Sequence, residues 1–380
     1  MKKNNYIIYI CLFLTVSISS CKKKEIVSSD AILGKILIDN KKTSSLDINA
    51  IGDFDKIILL ETIPESMIGE IEKVFLTDLY IVIWDSKMHR VLCFDFEGNF
   101  IRCIGKNGGG PEEYIKIADV YMKDENCISI LDSSTKRIIE YNIIGEYNSS
   151  YQLQEYLYSF YPDENGFWGI NGYQNDQKYD LIYISSETNK IEAGFFPGNS
   201  KIAMRPTNHF VKNEISNEIL FHSQYIDVIY KIESKNVIPW LWIDFGDKRN
   251  PYTDLTSSNI DVDLASAEFM GHINNLHIYK DNLFFSFHDY HGLSKSYDSY
   301  NVYVSLNNMN SIVYQYDIKH SPDLKIQPLP DIVGLSKGKL IYQINPEFLP
   351  ENIFQEKYAG TQLENITSES NPLLVLYNLK

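Results

Sequence analysis

VFLTDLYIVIWDSKMHRVLCFDFEGNF (74–100) and VYMKDENCISILDSSTKRIIEYNIIGEY (120–147) decide the fold. Laid over one another, they place Asp85 on Asp132, Arg90 on Arg137, Phe94 on Tyr141 and Gly98 on Gly145, each pair 47 residues apart. A period in the forties made of short β-type runs points to propeller blades rather than solenoid turns. The first copy divides into four strands, near Ile71–Leu76, Tyr80–Trp84, Arg90–Asp95 and Phe100–Ile104. Asp85 ends the second strand, where its carboxylate can accept turn amides. Glu97-Gly98 is a hairpin turn in which glycine tolerates positive φ. Asp85, Asp132, Arg90 and Arg137 therefore recur because the blade recurs, and they are assigned no catalysis.

Working outward, weaker copies follow. One has strands near 156–161, 166–171, 179–184 and 190–196; the next shows 219–223, 227–232 and 237–245. Another runs 276–280, 283–288, 301–306 and 311–316, and the last 331–335, 339–344 and 373–377. The last unit lacks an outer strand, and KIILLE (56–61) is a spare one. Donating it closes a ring of six blades. The expected fold is all-β: a six-bladed β-propeller of four-stranded antiparallel blades over residues 51–380, closed by an N-terminal strand joining the last blade.

The composition agrees, with 44% apolar and 13% aromatic residues. Lys plus Arg number 35 and Asp plus Glu 50, a net charge of −15, and no basic stripe stands out. Sequence-independent nucleic-acid binding needs clustered cations, so it is excluded as a function. At the N-terminus, MKKNNYIIYICLFLTVSISSC (1–21) has two lysines, an apolar run over 6–18 too short to span a bilayer, then Ile18-Ser19-Ser20-Cys21. That ending resembles the lipobox of bacterial lipoproteins. It implies a signal peptide over 1–20, a lipid-bearing Cys21 as the membrane partner, and an outer-membrane-anchored protein facing periplasm or outside. Residues 21–50, polar and weakly periodic, are expected to be a tether. Cys93, Cys103 and Cys127 remain, without metal-ligand spacing; a Cys93–Cys103 bridge across one hairpin is conceivable, but small buried residues are the plainer reading.

WDSKMHRVLCFDFEGNFIRCIG (84–105) resembles an NHL-type propeller repeat. With IGKNGGGPEEY (104–114), Asp227–Tyr230, Ile243–Gly246 and the ending Asn371–Tyr377, the chain from about residue 50 resembles the six-bladed β-propeller lipoproteins of Bacteroides-type bacteria. The resemblance implies fold and address, and no biochemical activity.

Several constellations fall away. Gly105–Pro111 is glycine-rich, but Pro111-Glu112-Glu113 follows where a phosphate loop needs Lys-Ser/Thr and a helix, so an interblade turn with several positive φ angles is expected. His272, His277, His288 and His291 fall within twenty residues; His288 and His291 could hold a metal only if their loop folded back, and spacing fixes no third ligand. Solvated loop histidines are the reading adopted, with no metal and no cofactor assigned. No nucleophile elbow is present. Loop topology says more. The first-to-second and third-to-fourth strand turns are short, as at Asp124–Asn126 and Asp281-Asn282. The remaining connections are long and share the other face, where binding residues gather on rigid scaffolds. They carry Arg205, His209, Arg249, Tyr252, Tyr290, His291, Lys295 and Tyr297, aromatics and cations suited to a carbohydrate, a peptide or an envelope protein. The expected function is non-enzymatic binding or scaffolding through that face. The alternative is an envelope hydrolase or lyase acting on glycan or peptide at the channel mouth.

Overall fold

The computed structural model describes residues 34–171, 178–197, 209–222, 226–249, 268–292, 296–315, 331–348 and 366–380. Six sheets stand around a central axis. Blade 1 is β3 (Ile71–Leu76), β4 (Ile81–Asp85), β5 (Arg90–Phe94) and β6 (Phe100–Ile104). Blade 2 is β7 (Ile117–Asp124), β8 (Cys127–Asp132), β9 (Arg137–Asn142) and β10 (Tyr147–Gln152); blade 3 is β11 (Leu157–Asp163), β12 (Gly166–Asn171), β13 (Tyr179–Ser185) and β14 (Ile191–Pro197). Blade 4 is β15 (Phe210–Lys212), β16 (Ile219–His222), β17 (Val228–Glu233) and β18 (Asn236–Asp244); blade 5 is β19 (Glu268–Tyr279), β20 (Asn282–His291), β21 (Tyr297–Ser305) and β22 (Asn310–Tyr314). Blade 6 takes β23 (Asp331–Ser336), β24 (Lys339–Ile344) and β25 (Leu373–Leu379) from the C-terminus and β2 (Gly52–Leu59) from the N-terminus. β2 pairs antiparallel with β25 from Gly52↔Leu379 to Leu59↔Leu373, which closes the ring as expected.

The N-terminal segment departs from the sequence reading. Expected as free tether to residue 50, it is packed from Gly34 onward. β1 (Gly34–Leu37) adds a fifth, parallel strand outside β18. The chain then crosses the rim of blade 5, where Ser44 N donates to the Val313 carbonyl, and reaches blade 6 through the short helix α1 (Ile48–Ile51). Ile36, Ile38, Leu46 and Ile48 are buried along the way. Their hydrophobicity, isolated among polar residues, serves an edge that another blade supplies.

The repeated Asp and Arg residues do what their period implied. Asp85 accepts from the amides of Gly69, Glu70 and Met88, and Asp132 from those of Ile115, Lys116 and Ser134. Arg90 reaches the Glu65 and Met67 carbonyls, and Arg137 those of Pro111 and Glu113. Each pair thus ties the incoming loop of its blade to the β4–β5 or β8–β9 turn. The glycine-rich loop is an interblade turn, but only Gly105 of its glycines has positive φ. Gly108 packs on a side chain instead: a Cβ there would sit 2.0 Å from Glu113 Oε2, so the carboxylate that accepts the Gly110 amide would have to move. Cys93 lies opposite Arg102 and Cys103 opposite Leu92, so the two thiols point to different faces of blade 1 and remain free.

Neighbouring blades meet around the axis through polar side chains on or next to their inner strands. Lys73 Nζ pairs with Asp119 Oδ1 at 2.5 Å, and Asp119 Oδ2 accepts from Ser159 Oγ at 2.5 Å and the Phe160 amide, linking blades 1, 2 and 3. Asn213 Nδ2 donates to the Lys280 carbonyl between blades 4 and 5, and Asn275 Nδ2 to the Ile332 carbonyl between blades 5 and 6. Ser336 Oγ accepts the Leu76 amide where blade 6 meets blade 1. Apolar clusters fill the space behind these contacts.

Candidate functional site

On the long-loop face, blade 5 carries a tier of rings that the strand register assembles. Phe269 is opposite Tyr290, which is opposite Tyr297, and His288 lies two residues before Tyr290 on the same side of β20. Phe269 and Tyr290 stack at 4.7 Å, His288 and Tyr297 lie 4.3 Å apart, and Tyr290 and Tyr297 5.6 Å apart. His272 joins the tier because β19 is bulged on both sides of Asn274, with His272 at φ 62° and Asn275 at φ 51°. Left-handed backbone at non-glycine residues, paired with bulges, re-aims side chains and is concentrated at functional positions. His272 Nδ1 lies 2.8 Å from the Tyr290 hydroxyl and its ring 4.8 Å from that of His288.

These imidazoles are neutral. Burial pulls His272 down to about 3, and the charges that His288, His222 and His209 could carry push it the same way. Burial likewise takes His209 and His288 to about 4, and His277 to about 3. His209 Nδ1 lies 3.1 Å from the His222 carbonyl, and its Nε2 is buried without a partner among the described residues. Burial also pushes the Tyr290 phenol up, with Tyr297 adding to it. Such a group set offers hydrogen bonds and flat apolar faces, without a charge at neutral pH.

The expected site residues divide accordingly. Tyr297 is 55% exposed and is the first residue of β21, not part of a loop. Tyr290 is a strand residue, 9% exposed, because β20 and β21 run to His291 and from Tyr297 and shorten the loop expected over 289–300. His291 is partly buried and lies 2.9 Å from Asp298 Oδ2. His209, expected on a loop, is buried beside blade 4's inner strand. Arg249 is exposed just after the short 3₁₀ turn that follows β18. Burial raises the Asp227 carboxyl against the pull of Arg249, whereas Lys35 and the Gly246 amide, with a smaller part from Arg249, hold Asp244 down despite its burial. Cys21, Arg205, Tyr252 and Lys295 lie outside the described residues. The histidines assigned to solvated loops are the main correction: His272 and His277 are buried in β19, and His288 belongs to β20. The available signal was polar residues interrupting the β19 pattern, GHINNLH, beside an inner-strand run. Among the described residues no three His, Cys, Asp or Glu side chains are placed to hold a metal ion.

Across the same mouth lies a cavity of about 490 Å³ at blades 1 to 3. Glu72, Trp84, Lys87, Lys116, Tyr156 and Tyr158 line it, with Lys73 and Asp119 at its floor. A second cavity, about 410 Å³, opens between the short turns, among Asp124, Glu125, Lys212, Glu214 and Lys337. Lys73 lines both, so one ion pair lies at the waist of the channel. At the short-turn end Lys337 Nζ bridges Asp78 and Glu125. Sequence spacing did not show Lys73 and Asp119 meeting, since inner strands of different blades supply them.

Six blades of four antiparallel strands, with the ring closed by an N-terminal strand, define a six-bladed β-propeller. The family described as "Domain of unknown function (DUF4934)" matches residues 34–378, and the chain belongs to it. No curated protein matches. The fold is similar to that of a Bacteroides fragilis NCTC 9343 protein whose name marks it as exported, with TM-score 0.71, 15% identity, 91% of this chain and 99% of that one covered. It is also similar to a member of the DUF4221 family from Bacteroides vulgatus ATCC 8482, with TM-score 0.55, 11% identity and coverage of 87% and 98%. Among the described residues no helix is long and apolar enough to cross a membrane.

Proposed function

We propose that this chain is an exported envelope protein, anchored through lipid on Cys21, which binds glycan without transforming it on the blade 5 tier. The observation that carries the reading is the ring cluster of Phe269 stacked on Tyr290, with Tyr297 tilted against Tyr290 and His288, ending in an exposed Tyr297. Sugar rings present apolar C–H faces to aromatic planes and hydroxyls to neutral donors and acceptors, and binding sites combine apolar walls with a few placed polar groups. The exported name of the Bacteroides fragilis relative supports the address. The lipobox-like ending at Cys21 supports the anchor.

The test is titration of the mature protein with a panel of neutral oligosaccharides by calorimetry. Tyr297→Ala should weaken binding at least about tenfold, or about 1.4 kcal/mol, at unchanged melting temperature. No binding by any oligosaccharide, or binding indifferent to Tyr297→Ala, refutes the reading. For the anchor, Cys21→Ala should abolish labelled-lipid incorporation. The 2.8 Å His272–Tyr290 pair favours a second reading, hydrolase or lyase chemistry on glycan or peptide. Against it, burial moves the imidazole down and the phenol up, away from proton exchange at neutrality. Turnover of the same oligosaccharides, lost in His272→Asn, would establish it.

A further inference from the structure

The cavity at blades 1 to 3 is a separate construction, on the other side of the mouth from the blade 5 tier. Its lining holds both charge signs. Lys73 and Asp119 neutralise one another, which leaves Glu70, Glu72, Lys87 and Lys116 as the other charged groups of the lining. No ion pair joins these four among the described residues. Trp84, which lines the cavity, is 6% exposed, and its indole Nε1 has no hydrogen-bond partner among the described residues. Buried N–H donors are almost always partnered, by protein or by ordered water, so this orphan in the wall of a cavity is a donor that a water or a ligand acceptor would satisfy. His89, also in the lining, has a buried Nδ1 in the same condition. The carboxyl of Glu72 is pushed up by burial, against the pull of Lys73 and a hydrogen bond from Ser86. A desolvated carboxylate gains more from an incoming cation than an exposed one does. Tyr156 and Tyr158 give the remaining wall an amphipathic surface.

We propose that this cavity binds a small zwitterion, a free amino acid or short peptide. Glu72 takes its ammonium group, and Lys116, Lys87 and the Trp84 indole N–H take its carboxylate. A neutral sugar leaves both charge sets unmatched, and a simple anion meets Glu70 and Glu72. A molecule carrying both charges satisfies both sides at once. The volume is within the range of small-ligand sites, roughly 300–1,000 Å³.

The probes are L-alanine, trialanine, and trialanine capped by acetyl and amide groups, titrated into the mature protein by calorimetry. Binding of L-alanine alone identifies an amino-acid site, and tighter binding of trialanine a peptide site. Either should exceed the capped peptide by at least about tenfold. Lys116→Gln, at an exposed position, and Trp84→Phe, which keeps the aromatic packing and removes the donor, should each weaken the zwitterion about fivefold or more. Glu72→Gln should do the same. Tyr297→Ala should leave it unchanged, which separates this site from the glycan reading. Equal binding of capped and uncapped trialanine, or no binding of either zwitterion at about 10 mM, overturns the proposal.

Discussion

Acidification from about pH 7 to about pH 5 should weaken this propeller, because four of its histidines are buried neutral. His209 and His288 sit at about 4, and His272 and His277 at about 3, against 6.5 for the free side chain. A group whose folded pKa is depressed contributes stability above its unfolded value, and this is lost as pH falls through the folded value. From about pH 7 to about pH 5, each of the four loses about 2 kcal/mol, so together on the order of 7 kcal/mol. Asp227 acts the other way. Burial and the nearby Asp244 charge raise it to about 8 despite Arg249. Its proton stabilises the folded state as pH falls, by about 3 kcal/mol over the same interval. Glu72, also raised, adds in that direction. The net loss of about 4 kcal/mol is a large share of a typical stability of about 5–15 kcal/mol. Urea unfolding at constant ionic strength, followed by tryptophan fluorescence, measures it. Near pH 5 the linkage slope should show uptake of about 2–3 protons on unfolding. Stability that is flat or rises between those pH values would refute the buried, neutral histidine cluster.

Truncation tests the N-terminal segment. Removal of residues up to 33 should leave melting unchanged, while removal through residue 50 strips Ile36, Ile38, Leu46 and Ile48 and should cost on the order of 5 kcal/mol; equal melting temperatures would show the segment to be idle. Lys73→Met leaves Asp119 buried and unpaired and should cost about 3–5 kcal/mol, most of it recovered in Lys73→Met/Asp119→Asn. Chemical denaturation of the four proteins of that cycle checks the coupling, and additive losses would contradict it. Maleimide should label exposed Cys103 in the native protein and spare Cys93, whose thiol is buried and pushed up to about 11. Gly98→Ala places a Cβ 2.0 Å from the Leu59 carbonyl oxygen at φ 90°, so it should lower the melting temperature by several degrees, as a thermal scan would show.

The blades were legible where local signals agreed. In blade 1 alternation, Asp85 and Gly98 all mark the same boundaries, and β3 and β6 match the strands expected there. Legibility failed where another part of the chain supplies the reason for a strand. Phe210–Lys212 is too short to show a period, yet it forms blade 4's inner strand because β16 pairs with it. Gly34–Leu37 is a strand only because β18 offers an edge. β19 looked short because its bulges around Asn274 break the alternation. Those bulges also decided the site. The cluster of histidines was visible in the sequence, but their burial was not, since the re-aimed backbone of His272 sets it. Tyr297 lies next to a turn at the start of β21, where the sequence marks a strand end but not the face its ring takes, because a one-residue slip of register would reverse it.

The path of residues 34–59 also has a mechanical meaning. Tension applied to the chain ahead of Gly34 is met first by β1, and a pull along that strand loads its parallel ladder with β18 in shear. Its hydrogen bonds are then sheared together instead of being unzipped singly. Should they yield, the load passes to the buried anchors Leu46 and Ile48 before it reaches β2 and the ring seam. The rim crossing therefore works as a strain relief, so that the strand that closes the propeller is not the strand that bears the tug.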